Sequence, residues 1–245
     1  MAYINGKEIL FSPIVNYGYD KGLEEGKKAQ YDAFWDVYQN YGAEVHDGRA
    51  FVGYGWNDNT FYPKYDIVCD NKRGDALFQL CQVTNIKARL EECGVRLDTS
   101  KATNLYQAFQ YCATTELPEI NVSKATGIYQ TFASCSNLTK IDKVILSSDG
   151  TAPEMTTTFA GSSALVDIVF EGVIAKSITM SNCSKLSVDS AKSVIEHLAN
   201  YAGTDNEGKN TVKFHANTWT ALEADSTAPD GNTWKQYVQS LGWLI

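Results

Sequence analysis

Along the middle of this chain, large apolar residues recur at a fixed step from small ones. Phe78, Phe109, Phe132, Phe159 and Met180 are each followed three positions later by Cys81, Cys112, Cys135, Ser162 and Cys183. An apolar-x-x-Ile step then follows the first four: Val83 to Ile86, Leu117 to Ile120, Leu138 to Ile141 and Leu165 to Ile168. Val122 and Phe170 extend two of these by a further apolar residue. Such spacing places side chains on one side of a short strand and its lead-in. The apolar positions are 31, 23, 27 and 21 residues apart, so units tolerate insertions, as they do where loops leave a stacked core. The closest pair of units is LDTSKATNLYQAFQYC, Leu97 to Cys112, and INVSKATGIYQTFASC, Ile120 to Cys135, identical at eight of sixteen positions. A unit this short cannot bury its own apolar face, but a neighbour with the same face can bury it. The pattern therefore predicts stacked turns of a solenoid, with SKAT as the turn between strands. Two similar strands of an ordinary sandwich are the alternative.

The flanks read as covers for the open ends of such a stack. Downstream, Ser187 is a candidate N-cap with Asp189 in the first turn. Ala191, Val194, Ile195, Leu198 and Tyr201 form an apolar helical face that predicts a helix running to Gly203. TVKFH then reads as a strand, NTWTALEA as a short helix and NTWKQYVQSLGW as a further helix. Upstream, Tyr31, Phe34, Tyr38 and Tyr41 form a heptad-like seam on a helix ending at Gly42. The seam either packs on the first unit or pairs with copies of itself. The expected fold is α+β. It comprises an N-terminal helix and aromatic cap over 1–75, a solenoid over 76–186 and an α/β cap over 187–245.

Net charge is −8 across 245 residues, without the clustered Lys and Arg that phosphate binding needs, so nucleic acid is not an expected partner. No apolar run reaches the ~18 residues of a membrane span, and the N-terminus carries no signal-peptide pattern. The expectation is synthesis in the cytoplasm without membrane insertion. Of the six cysteines, four share one repeat position. That suggests a column of small buried thiols rather than disulfides, and with no CxxC pair and scattered histidines no metal is expected. No catalytic motif is present. The expectation is therefore a non-enzyme without a cofactor, although a glycosidase carboxylate pair is set by the fold and leaves no sequence signature.

The F-x-x-C-x-x-L-x-x-I register over about Ala76 to Leu186 resembles the bacterial leucine-rich repeats of the BspA-like class. The helix-like KARLEECG, Ser162 in the cysteine position and the break after Leu186 depart from that pattern. The stretches YINGKEILF, YDAFWDVYQNYG, FYPKYDI and TWKQYVQSLGW resemble proteins encoded in prophage and phage tail regions of Gram-positive gut bacteria. The resemblance implies a short leucine-rich-repeat solenoid with helical caps, made in a host cytoplasm and associated with the virion tail.

A repeat surface presents one side chain per turn in register. In the strand register the outward residues are Glu119 and Asn121, Lys140 and Asp142, Asp167 and Val169, and a second face carries Tyr106 and Tyr129. Charges, an amide and tyrosines suit a wet contact with a protein or a surface glycan. The expected function is binding or structural. The alternatives are an intracellular phage protein that modulates a host protein, and a cell-wall glycan hydrolase using Glu119, Asp142 and Asp167.

Overall fold

The repeat phenylalanines stand one above another. In the computed structural model, which describes residues 2–4, 7–9, 51, 53, 56–69, 76–151 and 153–245, the chain winds as a β-solenoid of about four turns with few helices. Ring centroids of Phe78, Phe109, Phe132 and Phe159 follow at 5.5, 5.6 and 5.4 Å, with planes within 19° of parallel. The column begins one turn earlier than the repeat motif does. Phe51, upstream of the first motif, stacks on Phe78 at 4.9 Å. At the far end Phe170 meets Phe159 edge-on at 6.3 Å and closes the column. Met180, aligned with the phenylalanines by spacing, is buried but lies in a strand paired beside Phe214. Each phenylalanine in the column is nearly fully buried, a gain of about 1.5–3 kcal/mol per side chain before ordering costs.

The backbone around Phe78, Phe109 and Phe132 follows one rule. In the second repeat, the amides of Gln107, Phe109 and Tyr111 donate to Tyr129, Thr131 and Ala133 of the next turn. The intervening amides of Ala108, Gln110 and Cys112 close back on Leu105, Gln107 and Phe109, three residues earlier. Every amide in the stretch is thus satisfied, alternately by the neighbouring turn and by its own. The alternation forces positive φ two residues either side of phenylalanine: 54° at Gln107, 57° at Tyr111, 55° at Gln130 and 57° at Ser134. Left-handed backbone costs an L-residue about 1–2 kcal/mol, which the inter-turn hydrogen bonds offset. Gly161 occupies the same place after Phe159, with φ 77°. The small column sits just beyond. Cys135 Sγ donates to Phe109 O at 2.9 Å, Ser162 Oγ to Phe132 O and Cys183 Sγ to Phe159 O at 3.9 Å. Ser162 therefore replaces cysteine without loss, since a hydroxyl makes the same bond.

The strand side of each turn is short. β1 (Ala2–Ile4) and β2 (Lys7–Ile9) form an antiparallel pair near the N-terminus. All later pairings are parallel, as stacking turns of one hand requires. β3 (Ile67–Val68) pairs β4 (Leu97–Asp98), with helix α1 (Ile86–Cys93) on the chain between them. β5 (Glu116–Leu117) and β6 (Ile120–Asn121) both pair β7 (Lys140–Ile145), which pairs β8 (Asp167–Glu171). β9 (Ile178–Met180) pairs β10 (Val212–Phe214). Asn85 caps α1, where its side chain accepts from the Ala88 amide at 2.9 Å.

Helix α2 (Val188–Glu196) closes the sheet edge at β8. Ser190 and Ser193, one helical turn apart, accept the Ile168 and Phe170 amides at 2.9 Å each. The hydroxyls replace the carbonyls of a further strand, so the edge is covered rather than left open. Ser187 is the N-cap of α2 as the sequence indicates, but the helix ends at His197 and not at Gly203. The Ile174 amide donates to His197 O and the Ala199 amide to Ile174 O, so pairing with the turn above replaces helical bonding there. α3 (Ala216–Glu223) and α4 (Trp234–Ser240), the latter opened by a Thr233–Gln236 capping box, match the segments read from sequence. The Tyr31–Tyr41 seam, and with it self-association through the N-terminal helix, lies outside the described residues.

Candidate functional site

The outward strand face is shaped by a bulge in β7. Ile141 pairs Ile168 and Val144 pairs Phe170, so Asp142 and Lys143 together oppose Val169 alone. Two residues where one would fit turn both side chains toward solvent. On the other side they face Pro118 and Glu119, the break between β5 and β6. This is why charges from separated turns meet. Lys143 Nζ lies 2.8 Å from Glu171 and 3.9 Å from Glu119. Asp142 takes Lys87 of α1 at 2.7 Å and Lys140 at 3.6 Å. Glu171 and Asp142 hold the Lys143 and Lys87 ammonium groups above the ordinary lysine range, mainly through these hydrogen bonds. Exposed pairs of this kind contribute little stability, so their main effect is to fix where the charges stand.

Of the residues expected to face outward, Glu119, Asp167, Val169, Tyr106 and Tyr129 are exposed, and Asn121, Lys140 and Asp142 are half-buried. Lys140 lies in register beside Asp167. Asn121 turns back on its own loop, accepting from the Ser123 amide and hydroxyl at 3.0 and 2.6 Å. Tyr106 and Tyr129 stack at 5.5 Å with planes 9° apart. They lie on the stretches leading into the phenylalanine column, away from the strands. Tyr111, two residues after Phe109, is also exposed, at 52%. The sequence reading missed Lys87, Lys143, Glu171 and Tyr111. Lys143 and Glu171 depend on a bulge without a sequence signature. Lys87 lay on a segment read only as an interruption. Tyr111 could have been found, because glycines stand two after Phe51 and Phe159 and mark an exposed left-handed corner.

Beneath α1 the strand ladder is interrupted. β4 and β6 belong to adjacent turns yet share no backbone pairing. The Thr99 hydroxyl bridges them instead, donating to Asn121 O at 2.9 Å and accepting the Asn121 amide at 2.8 Å. Beside this plug lies a groove of 430 Å³ between α1, β4 and the β5–β6 break. Among the described residues no group of three or more His, Cys, Asp or Glu side chains could hold a metal ion, and no helix is long and apolar enough to cross a membrane. No disulfide joins the cysteines, and burial pushes the Cys183 thiol up to about 12 and Cys135 higher still. Comparison with known protein families, curated proteins and solved structures finds no match.

Proposed function

We propose that the chain is a non-enzymatic binding or structural module that presents the strand face to a protein or a surface glycan. The observation that carries this reading is the ion-paired ladder Glu119–Lys143–Glu171 beside Asp142, with Lys140 and Asp167 in register, on a frame fixed by the phenylalanine column. A rigid frame holds polar groups in place before a partner arrives, which lowers the ordering cost of binding. In its finer form the frame is a BspA-like leucine-rich-repeat solenoid with helical caps, encoded by a phage and associated with its tail. Fold resemblance alone does not assign a role, so the surface residues carry the argument.

The test is partition of the tagged chain among virions, host cells and supernatant. Association with virions or host cells, weakened by the Lys140→Ala/Asp167→Ala pair, supports the reading. Absence from both fractions refutes it. A second reading, modulation of a host protein inside the cell, is supported by six cysteines that form no disulfide, which suits a reducing compartment. Early regulatory genes beside its own favour that reading, and tail genes favour the first.

A further inference from the structure

In the groove under α1 the strand face meets an apolar floor. Leu90, Val95, Leu97 and Pro118 line it, and its 430 Å³ falls within the roughly 300–1,000 Å³ of small-ligand sites. The cations in its wall are already engaged. Arg96 grips Asp66 through two nitrogens at 2.6 and 3.2 Å, and Lys87 turns away to Asp142 at 2.7 Å. Three further carboxylates, Asp98, Glu119 and Glu91, stand in the wall. Asp98 accepts the Ser100 amide at 2.9 Å and makes no ion pair. Glu119 and Glu91 stand 3.9 and 4.0 Å from Lys143 and Lys87. An apolar floor whose rim holds four carboxylates against two cations complements a long aliphatic stem ending in a cation.

We propose that this groove takes a lysine or arginine side chain from an extended peptide segment of a partner protein, with Asp98 and Glu119 receiving the charge. The stem would lie on Leu90 and Leu97, and the peptide backbone would run past the Thr99 plug. The inference rests on the reading of the strand face as a binding surface and names the partner's chemistry.

Calorimetric titration of the full chain with acetyl-Val-Lys-Val-amide, against the Gln and Glu counterparts, tests it. The lysine peptide should bind saturably and at least about tenfold more tightly than the glutamine peptide. The Asp98→Asn/Glu119→Gln double variant should lose about the same factor, and Asp205→Asn, an exposed carboxylate away from the groove, should bind as the parent does. Equal binding of the lysine and glutamine peptides, or a double variant that binds like the parent, overturns the assignment. Tighter binding of a glucosamine trisaccharide also overturns it. Amide shift changes in the parent at Val95, Leu97 and Asn121 supply a readout that needs no variant, and changes confined elsewhere count against the groove. If Asp167→Asn alone abolishes binding, the groove fails while the strand-face reading stands. Absence from virions and host cells defeats that broader reading whatever the peptides do.

Discussion

Gly172 and Gly94 both adopt positive φ, 93° and 67°, yet replacing each by alanine should have very different consequences. A Cβ on Gly94, just past α1, meets nothing within 4 Å. Gly94→Ala should therefore cost only the left-handed penalty of about 1–2 kcal/mol. A Cβ on Gly172 would sit 2.8 Å from the Leu146 carbonyl carbon, 3.1 Å from its Cβ and well inside contact distance of its carbonyl oxygen. These atoms belong to the neighbouring turn and cannot rotate away. Separation would strain the inter-turn bonds from Leu146 to Glu171 O at 2.8 Å and from Val173 to Ser147 O at 3.0 Å. Losing one such buried bond adds about 1–3 kcal/mol, so Gly172→Ala should cost roughly 2–5 kcal/mol. Urea unfolding of both variants at equal slope provides the comparison. Equal losses at the two positions would refute the close approach of these turns.

Three further outcomes follow from the packing. Ser190→Ala removes the acceptor of the buried Ile168 amide and should cost about 1–3 kcal/mol in urea unfolding, whereas alanine at the exposed Ser181 should change little. In thiol titration of the native chain, half-exposed Cys93 should react first, and Cys81, Cys135 and Cys183 only on unfolding, because the Cys112 thiol and then burial disfavour the Cys81 thiolate and burial disfavours the other two. Lys192, 2.8 Å away, is the largest cause holding the Asp225 carboxyl below the usual carboxylate range. Its contribution is therefore present above about pH 4 and is lost as pH falls through the depressed folded value. The stability difference between parent and Asp225→Asn should shrink on acidification below about pH 4, and a difference that stays constant or grows counts against the ion pair.

The sequence made the stacking legible where one residue type does one job in every turn. Phe109 over Phe132 and the thiol column follow directly from the spacing, and the cap at Ser187 from the residue type before an apolar helical face. Phe51 escaped because Tyr54, not a small residue, follows it by three, so the motif filter excluded a turn that the stacked rings include. The end of α2 was misjudged because the apolar face continues past His197, and only the neighbouring turn's Ile174 decides that the chain leaves the helix. Glu119, Lys140 and Asp167 were readable as outward because strand alternation is local. Their ion pairing was not readable, since the β7 bulge and the reach of Lys87 depend on contacts between turns.

Through-hydrogen-bond scalar couplings in the deuterated, 15N,13C-labelled chain interrogate the stacking at single-bond resolution. Couplings should connect the Gln107, Phe109 and Tyr111 amides to the Tyr129, Thr131 and Ala133 carbonyls, while Ala108, Gln110 and Cys112 couple back to Leu105, Gln107 and Phe109. Couplings from Phe109 to a carbonyl within its own turn, or rapid exchange of all three inter-turn amides with solvent, would contradict a solenoid whose turns lie in this register.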